Sequence, residues 1–397
     1  ASGVRSAIIS CDPIEYGNNI FSQCQRLKHL VFEEGIRFIG DKFAFQCTHL
    51  SHVVFPNSLY QIGKNAFEGS PFLEKESVSG QIGSFLLDGS SFSGKVYLPE
   101  GITSIAGGAF YGNDAITHVT LPNSLKSIGS RAFCSCSSLK SIYIPANITE
   151  LTEGIFAYCS NLQSVEISGC IRSIGDRAFY QCKQFSGLDQ NSQSIAKTAL
   201  HIGAEAFFSC LSMCHFETDT EDIGTDAIRE TDLWKNLKQA SPFVIFSHTL
   251  LDGMSAFGDI EIPEGIHTIA PYAFAGNTNI TSVVFPTSLK HIRKNAFCGC
   301  SSLIKLSFPS SFIELEPYCF SKCTKIIQLS CQTKLLSKGA FSFCTNLKDV
   351  LLPSTIQLEA ETFFGCTFLN RLEIPLVTKI GKQCFSGCNS LSELFLT

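Results

Sequence analysis

The chain of 397 residues is 44% hydrophobic and only 16% charged, with 34 Phe against 1 Trp and 2 Met. Its net charge of −5 argues against a general binder of nucleic acid or anionic membrane, because phosphate contacts need clustered Lys and Arg. No apolar run reaches the roughly 18 residues of a membrane-spanning helix, so we expect no membrane span in this segment. One aromatic residue used so often indicates one environment repeated many times.

In chain order, residues 1–19 form an N-terminal lead-in, after which an Ala-Phe dipeptide or a close variant recurs. We call the Phe of each unit the anchor. Successive anchors from Phe110 through Phe133 and Phe156 to Phe179 are 23 residues apart. The anchors are Phe21, Phe67, Phe110, Phe133, Phe156, Phe179, Phe207, Phe274, Phe297, Phe320, Phe341, Phe363 and Phe385, with Ala44 and Ile228 in the same slot.

Within one unit, the spacing of Leu139, Ile142 and Ile144 predicts a short strand with alternate residues inward, and Pro145 ends it. A unit this small cannot bury its own apolar stripe, so the units must stack. The fold predicted is a leucine-rich-repeat solenoid, β-rich and of the α/β kind. It is a right-handed coil of about 16–17 rungs, with a parallel β-sheet on one face and short turns, short strands or 3₁₀ or helical segments on the other.

A longer period lies above the rungs, because residues 86–106 reappear at 250–270, an offset of 164 residues. Both copies open with a long unit that has room for two rungs. We therefore expect one continuous solenoid over residues 1–397, made by internal duplication. Its parts are the lead-in (1–19), a first repeat block (20–182), degenerate rungs with an insertion (183–243) and a second repeat block (244–397).

The repeated pattern Ile-Gly-x-x-Ala-Phe-x-x-Cys-x-x-Leu-x-x-Ile-x-Ile-Pro resembles the BspA-like leucine-rich-repeat family, over residues of about 20–397. The resemblance implies a surface or secreted protein of the kind found in anaerobic bacteria and protozoan parasites, with a role in adhesion and in binding host proteins. It implies no catalytic residues. The alternative is a cytoplasmic location.

The 19 cysteines follow the repeat rather than a disulfide or metal pattern. Most occupy the slot three residues after the anchor, where asparagine also occurs, and parallel rungs about 4.8 Å apart are too far apart for the ~3.8 Å Cβ spacing of a disulfide. We expect free thiols in a structural ladder, with no metal and no cofactor. The predicted ladder is Cys24, Cys47, Asn113, Cys136, Cys159, Cys182, Cys210, Asn277, Cys300, Cys323, Cys344, Cys366 and Cys388.

No catalytic motif is present, and the nine His are scattered, so we expect no enzyme. The remaining candidate is the outward side of the strands, where side chains vary while the inward positions stay apolar. β-Branched residues also favour strands for their own sake, so a single exposed Val carries little weight. The candidate partner-binding residues are Thr120, Tyr143, Glu166, Val284, Ser307, Leu351 and Glu373.

Two functions remain open. The first is a non-enzymatic adhesion or interaction module that binds a host or cell-surface protein along its strand face. The second is an intracellular structural scaffold built into a larger assembly. We also expect the C-terminal end to be continued or covered by other residues, because terminal repeats need a polar cap.

Overall fold

A computed structural model describes residues 3–10, 17–56, 58–59, 61–76, 81–187, 199–216, 218–220, 222–311 and 313–396. The chain forms a β-solenoid of about 16 turns with ~23 residues per rung, which confirms the predicted fold class. It divides into two compact units, Ala1–Lys235 and Asn236–Thr397, and each is described by itself. The single continuous domain and its block boundaries stay a prediction.

The first unit holds sixteen of the described strands. They are β1 (Ser6–Ile9), β2 (His29–Phe32), β3 (Phe38–Ile39), β4 (His52–Val54), β5 (Gln61–Ile62), β6 (Gln81–Ile82), β7 (Phe85–Leu86), β8 (Gly94–Tyr97), β9 (Ser104–Ile105), β10 (Ile116–Thr120), β11 (Ser127–Ile128), β12 (Ser141–Ile144), β13 (Glu150–Leu151), β14 (Ser164–Ile167), β15 (Ser173–Ile174) and β16 (His201–Ile202).

The second unit holds the other described strands. They are β17 (Val244–Phe246), β18 (Thr249–Asp252), β19 (Gly258–Glu261), β20 (Thr268–Ile269), β21 (Ile280–Val284), β22 (His291–Ile292), β23 (Lys305–Ser307), β24 (Glu314–Leu315), β25 (Gln328–Ser330), β26 (Leu335–Leu336), β27 (Asp349–Leu351), β28 (Gln357–Leu358), β29 (Arg371–Glu373), β30 (Lys379–Ile380) and β31 (Glu393–Phe395). Two short helices complete the description, α1 (Pro71–Glu76) and α2 (Asp232–Ala240).

Each regular coil of the solenoid contributes a longer strand to one side and a two-residue strand to another. The longer strands form what we call the strand face: β1-β2-β4 and β8-β10-β12-β14 in the first unit, and β19-β21-β23 and β25-β27-β29-β31 in the second. These pairs are parallel, whereas β6 with β7 and β17 with β18 pair antiparallel. In β12, Ile142 and Ile144 are buried while Ser141 and Tyr143 are partly exposed, so the predicted alternation is present.

The anchors form the core of each unit as a stack of rings. In the first unit, Phe110 and Phe133 lie 4.8 Å apart between ring centroids. In the second unit, Phe297 lies 4.6 Å from Phe274 and 5.1 Å from Phe320, with nearly parallel planes. These five rings are fully buried, so each of these turns contributes one large apolar side chain to the core of its unit.

The anchor turns are joined by what we call the turn ladder, in which three alternate N–H groups donate to alternate carbonyl groups of the next turn. Gly108, Phe110 and Gly112 donate to the carbonyls of the following turn at 3.0, 2.8 and 2.8 Å. Residues two before and two after an anchor have positive φ, as in Arg131 (59°) and Ser135 (62°). A backbone in which residues of positive and negative φ alternate in this way directs its N–H groups toward one side.

The degenerate stretch 183–243 is described only in part, since 188–198, 217 and 221 lie outside the described residues. The predicted insertion therefore falls partly there. Residues that follow it form an ordinary turn, in which Phe207 stacks on Phe179 at 5.2 Å. Helix α2 then begins after Thr231, whose hydroxyl accepts the N–H of Trp234 at 2.9 Å as an N-cap.

Candidate functional site: the strand face and the slot after the anchor

One outward position of each longer strand forms a continuous line of side chains across paired strands. We call this line the outer column. The paired registers of the strand-face sheets define it. Its members are Ile8, Val31, Val54, Tyr97, Thr120, Tyr143 and Glu166 in the first unit, and Glu261, Val284, Ser307, Ser330, Leu351, Glu373 and Phe395 in the second.

All seven predicted residues lie in the outer column, but in three separate groups. Thr120, Tyr143 and Glu166 are neighbours on β10, β12 and β14. Val284 pairs with Ser307 on β21 and β23, and Leu351 pairs with Glu373 on β27 and β29.

Exposure within the column varies from rung to rung. Val284 and Leu351 expose 42% and 41% of their surface, which is high for aliphatic side chains. Tyr143 is half-buried, and its hydroxyl accepts a hydrogen bond of 2.9 Å from Ser168. This bond joins the hydroxyl end of the ring to the residue that follows the neighbouring strand β14.

The seven candidates leave out the other members of the outer column, and two of those lie directly beside candidates. Tyr97 exposes 71% of its surface and pairs with Thr120, and Glu261 pairs with Val284. Each lies one ordinary 23-residue step before its partner, so extending the period backwards would have found both. The sequence analysis did not reach them because each block opens with a long unit, in which the 23-residue step is not apparent.

Polar and charged side chains in and beside the outer column bind one another. Asp259 accepts hydrogen bonds from the hydroxyls of Ser282 and Thr281, both at 2.7 Å, and these bonds lower the pKa of its carboxyl. Near the last described rungs, the Arg371 guanidinium lies 3.2 Å from Glu373 and 5.3 Å from the ring centroid of Phe395. The carboxylates of Asp259 and Glu373 therefore both have local partners.

In the part of the chain that the structure describes, no three His, Cys, Asp or Glu residues are grouped to hold a metal ion. Over the same residues, no helix has the length and apolar character needed to cross a membrane.

The slot three residues after the anchor joins neighbouring turns. The thiol of each slot cysteine from Cys47 onward donates to the carbonyl of the anchor one turn earlier, at 2.9–3.2 Å. Cys159, for example, donates to Phe133 at 3.0 Å. The described cysteines are all free thiols.

Asparagine replaces cysteine where the preceding turn carries glycine in the anchor slot. The Asn113 amide donates to the carbonyls of Gly89 and Phe92, both at 2.9 Å, and its oxygen accepts the N–H of Ala115 at 2.9 Å. Gly89 is required because a Cβ there would lie 2.4 Å from the Phe110 ring. Asn277 and Gly253 repeat the arrangement in the second unit, with the amide at 3.1 Å from the Gly253 carbonyl.

Hydroxyl residues take the slot in two other turns. Ser70 donates to the carbonyl of its own anchor Phe67 at 2.6 Å, and Thr231 donates to Ile228 at 2.7 Å. A hydroxyl on the same turn thus satisfies the anchor carbonyl that elsewhere receives a thiol from the next turn.

Burial raises the pKa of several slot thiols. Desolvation raises the pKa of Cys344 to about 12, although its bond to the backbone of Cys323 acts in the opposite direction. The same cause raises the pKa of Cys159 and Cys182 well above the ordinary thiol value. These groups are donors that stay protonated at neutral pH, and thiols in this state are poor nucleophiles.

Comparison with known proteins relates the repeat of this chain to a described family. A family model described as "BspA type Leucine rich repeat region (6 copies)" matches residues 3–85, 80–187, 183–286 and 267–392. No protein in the curated collection of sequences matches the chain.

Among solved structures, a leucine rich cell surface protein from Faecalibacterium prausnitzii is 20% identical, with 98% of this chain and 87% of that chain covered and a TM-score of 0.33. A leucine-rich repeat protein from Bacteroides ovatus is 19% identical, with 97% and 85% covered and a TM-score of 0.31. The leucine rich repeat protein TpLRR of T. pallidum is 22% identical, with 49% and 83% covered and a TM-score of 0.26.

Proposed function

The chain belongs to the BspA-type leucine-rich-repeat family, and from this premise we propose that it is a non-enzymatic adhesion module that binds a partner protein along the strand face. The partner is a host or cell-surface protein. The protein acts at the cell surface or after secretion, and the family membership supports this location.

The observation that carries the proposal is the contrast between the two sides of each longer strand. Inward positions of β10, β12 and β14 hold the buried Val119, Ile142 and Val165, which are alike in size and chemistry. The outward positions paired with them hold Thr120, Tyr143 and Glu166, which differ in every property. A face that varies on a constant scaffold is suited to recognition of a specific surface.

The area of this face also fits a protein partner. A standard interface buries about 800 Å² on each side, and neighbouring rungs supply contiguous side chains for it. Aromatic residues contribute most to such interfaces because they bury a large surface with few rotatable bonds. Tyr97 and Tyr143 flank Thr120 on adjacent strands, so this trio is the proposed centre of the contact in the first unit.

The proposal is tested by substitution in the strand face. Partners are captured on the immobilised protein from a preparation of host-cell surface proteins and identified by mass spectrometry, and the affinity of the recovered partner is then measured. We expect Tyr143→Ala and Thr120→Arg to weaken binding by about tenfold or more, since hot-spot truncations typically cost about 2 kcal/mol. Val284→Arg tests the second unit in the same way.

The matched control is Tyr158→Ala, which removes an equally large and partly exposed tyrosine. Tyr158 lies in an anchor turn, and we call the surface formed by the anchor turns the turn side. Normal binding by this variant and weakened binding by the strand-face variants support the proposal. If all three strand-face variants bind normally while substitutions in residues 183–243 abolish binding, the degenerate segment is the site and the proposal is wrong.

A further inference from the structure

We propose that a cavity on the turn side of the first unit binds an extended segment of another polypeptide through three open backbone N–H groups. This site is separate from the strand face and does not depend on the function proposed above.

The turn ladder is interrupted after the Phe67 turn. That turn receives the ladder normally, since Lys42, Ala44 and Gln46 donate to its carbonyls at 2.8, 2.7 and 2.7 Å. Its own three alternate N–H groups, at Asn65, Phe67 and Gly69, meet no acceptor anywhere in the described ranges.

The interruption arises because the chain leaves the regular path after Ser70. It enters α1 and then the hairpin of β6 and β7 before the next turn forms. The extra rung carries Gly89 in the anchor slot, and the Gly89 N–H donates to Ala109 at 2.7 Å. The extra rung is thus aligned with the Phe110 turn and not with the Phe67 turn.

The result is a cavity of about 550 Å³ between the two turns. This volume falls within the range of about 300–1,000 Å³ that is usual for ligand sites. Residues lining it include Asn65, Phe67, Leu87, Ser90, Gly108 and Tyr111. At its edge the Lys64 ammonium lies 4.1 Å from the ring centroid of Tyr111.

The fold itself shows what fits three such N–H groups. In the regular turns they meet main-chain carbonyl groups on alternate residues, as Phe133 meets Ile155 at 3.0 Å and Ser135 meets Ala157 at 2.7 Å. Extended peptide segments that add to an open edge use the same main-chain bonds. The carbonyl of Phe67 is already satisfied by Ser70, so the open main-chain groups of this turn are donors, for which the occupant must supply acceptors.

Two further observations restrict the kind of polypeptide that can occupy the cavity. Phe72 packs on Phe67 with ring centroids 5.7 Å apart, so the place of the next anchor is filled and the occupant needs no aromatic side chain. Regular turns of a folded second copy have their carbonyl groups engaged in their own turn ladder. The occupant is therefore an extended peptide segment whose main-chain carbonyl groups are free.

The probe for this site is a fluorescent peptide that copies residues 128–136 with Phe133→Ala, Cys134→Ser and Cys136→Ser. The control peptide has reduced bonds in place of the carbonyls of Ser130, Ala132 and residue 134. We expect anisotropy to show binding of the probe and not of the control. In the free protein, the amides of Asn65, Phe67 and Gly69 should exchange at least about tenfold faster than those of Gly108, Phe110 and Gly112, and the probe should slow them.

A pair of variants at duplicated positions gives the matched test. Ser90 lines the cavity, and Met254 occupies the same place in the second unit, each donating its N–H to an aspartate two residues earlier at 2.8 and 2.7 Å. Ser90→Trp should weaken probe binding by about tenfold, whereas Met254→Trp and the strand-face variant Tyr143→Ala should leave it unchanged.

Three results would overturn the proposal. Slow exchange of the Phe67 amide in the free protein would mean that the chain closes its own ladder. Equal protection of the amides by acetate ion alone would assign an anion cradle instead of a peptide site. Unchanged probe binding by Ser90→Trp would place the peptide elsewhere, and the amide measurement remains decisive if that variant does not fold.

Discussion

A single thiol in each regular rung ties two turns together. The slot cysteine donates to the anchor carbonyl of the turn before it, as Cys323 does to Phe297 at 3.0 Å. Sulfur is a weak donor, but the carbonyl it meets is buried and would otherwise have one fewer partner. The cysteine also fills the space beside the anchor ring as a small apolar group. One residue thus serves both polar satisfaction and packing.

We predict that the slot cysteines remain unmodified when the folded protein meets an alkylating reagent at pH 8. Iodoacetamide should label the exposed Cys170 and Cys214 in the native state. The buried slot cysteines should react only in denaturant, without any reductant, because the fold shields them from the reagent. Peptide mapping by mass spectrometry measures both. Disulfide-linked peptides between neighbouring slots would contradict the prediction.

Stability should also fall at alkaline pH. The pKa of Cys344 is raised to about 12 in the folded protein, against about 8.5 for a free thiol in the unfolded chain. The folded state then holds the proton more tightly, so this contribution is complete below pH ~8.5 and is lost as pH rises toward ~12. Thermal melts across this range should show a falling Tm, and the Cys344→Ala variant should show a shallower fall.

The stacked anchors determine stability at the scale of the rung. A stacked anchor such as Phe297 contacts the anchor ring of the turn before it and that of the turn after it, so it supports both neighbouring turns. In a stack with nearest-neighbour contacts, the energy of one rung is coupled to the next through that interface.

We predict that Phe297→Ala destabilises the second unit by about 3–5 kcal/mol, the usual cost of emptying the space of a buried Phe. Phe297 lies between two rings in nearly parallel stacking, so both interfaces are lost. Hydrogen exchange should show the loss first in the turns of Phe274 and Phe320. Uniform opening of the whole chain would contradict this.

The control is Phe343→Ala, which removes an aromatic ring that is 43% exposed on the turn side of the same unit. We expect this variant to cost less than about 1 kcal/mol, since surface substitutions usually have small effects.

At the scale of the whole molecule, the outer column carries few charges. In the sheet of β8, β10, β12 and β14 its members are Tyr97, Thr120, Tyr143 and Glu166, with one carboxylate and no cation. Association driven by such a face relies on buried area and hydrogen bonds rather than on long-range attraction.

We therefore predict that the affinity for the captured partner depends weakly on salt. Raising ionic strength from about 0.05 to 0.5 M should change Kd by less than about threefold, because screening acts on charges and the proposed contact around Tyr143 carries only one. Binding measured by surface plasmon resonance at several salt concentrations tests this. A steep loss of affinity would locate the contact on the basic side chains of the turn side, such as Arg131 and Arg177.

The regular part of this molecule could be predicted from its sequence because one period governs it. A 23-residue step places the anchor inward, and alternation in the strand then determines which side Tyr143 faces. The irregular rung of Gly89 could not be predicted in the same way. Its position depends on the pairing of β7, which closes a hairpin with β6, with the strand β9 that leads into the Phe110 turn, and no local spacing encodes this pairing. The open N–H groups at Phe67 are a consequence of that packing.

The slot three residues after the anchor has the properties of punctuation. Asparagine, as in Asn113, opens a run of turns, because its longer side chain reaches a turn that has no aromatic anchor. Cysteine, as in Cys136, continues the run by reaching back to the previous turn. A hydroxyl residue closes it, because Ser70 and Thr231 bond within their own turn. In this chain, the slot residue therefore marks where the runs that follow Gly89 and Gly253 start, how they extend, and where runs stop at Ser70 and Thr231.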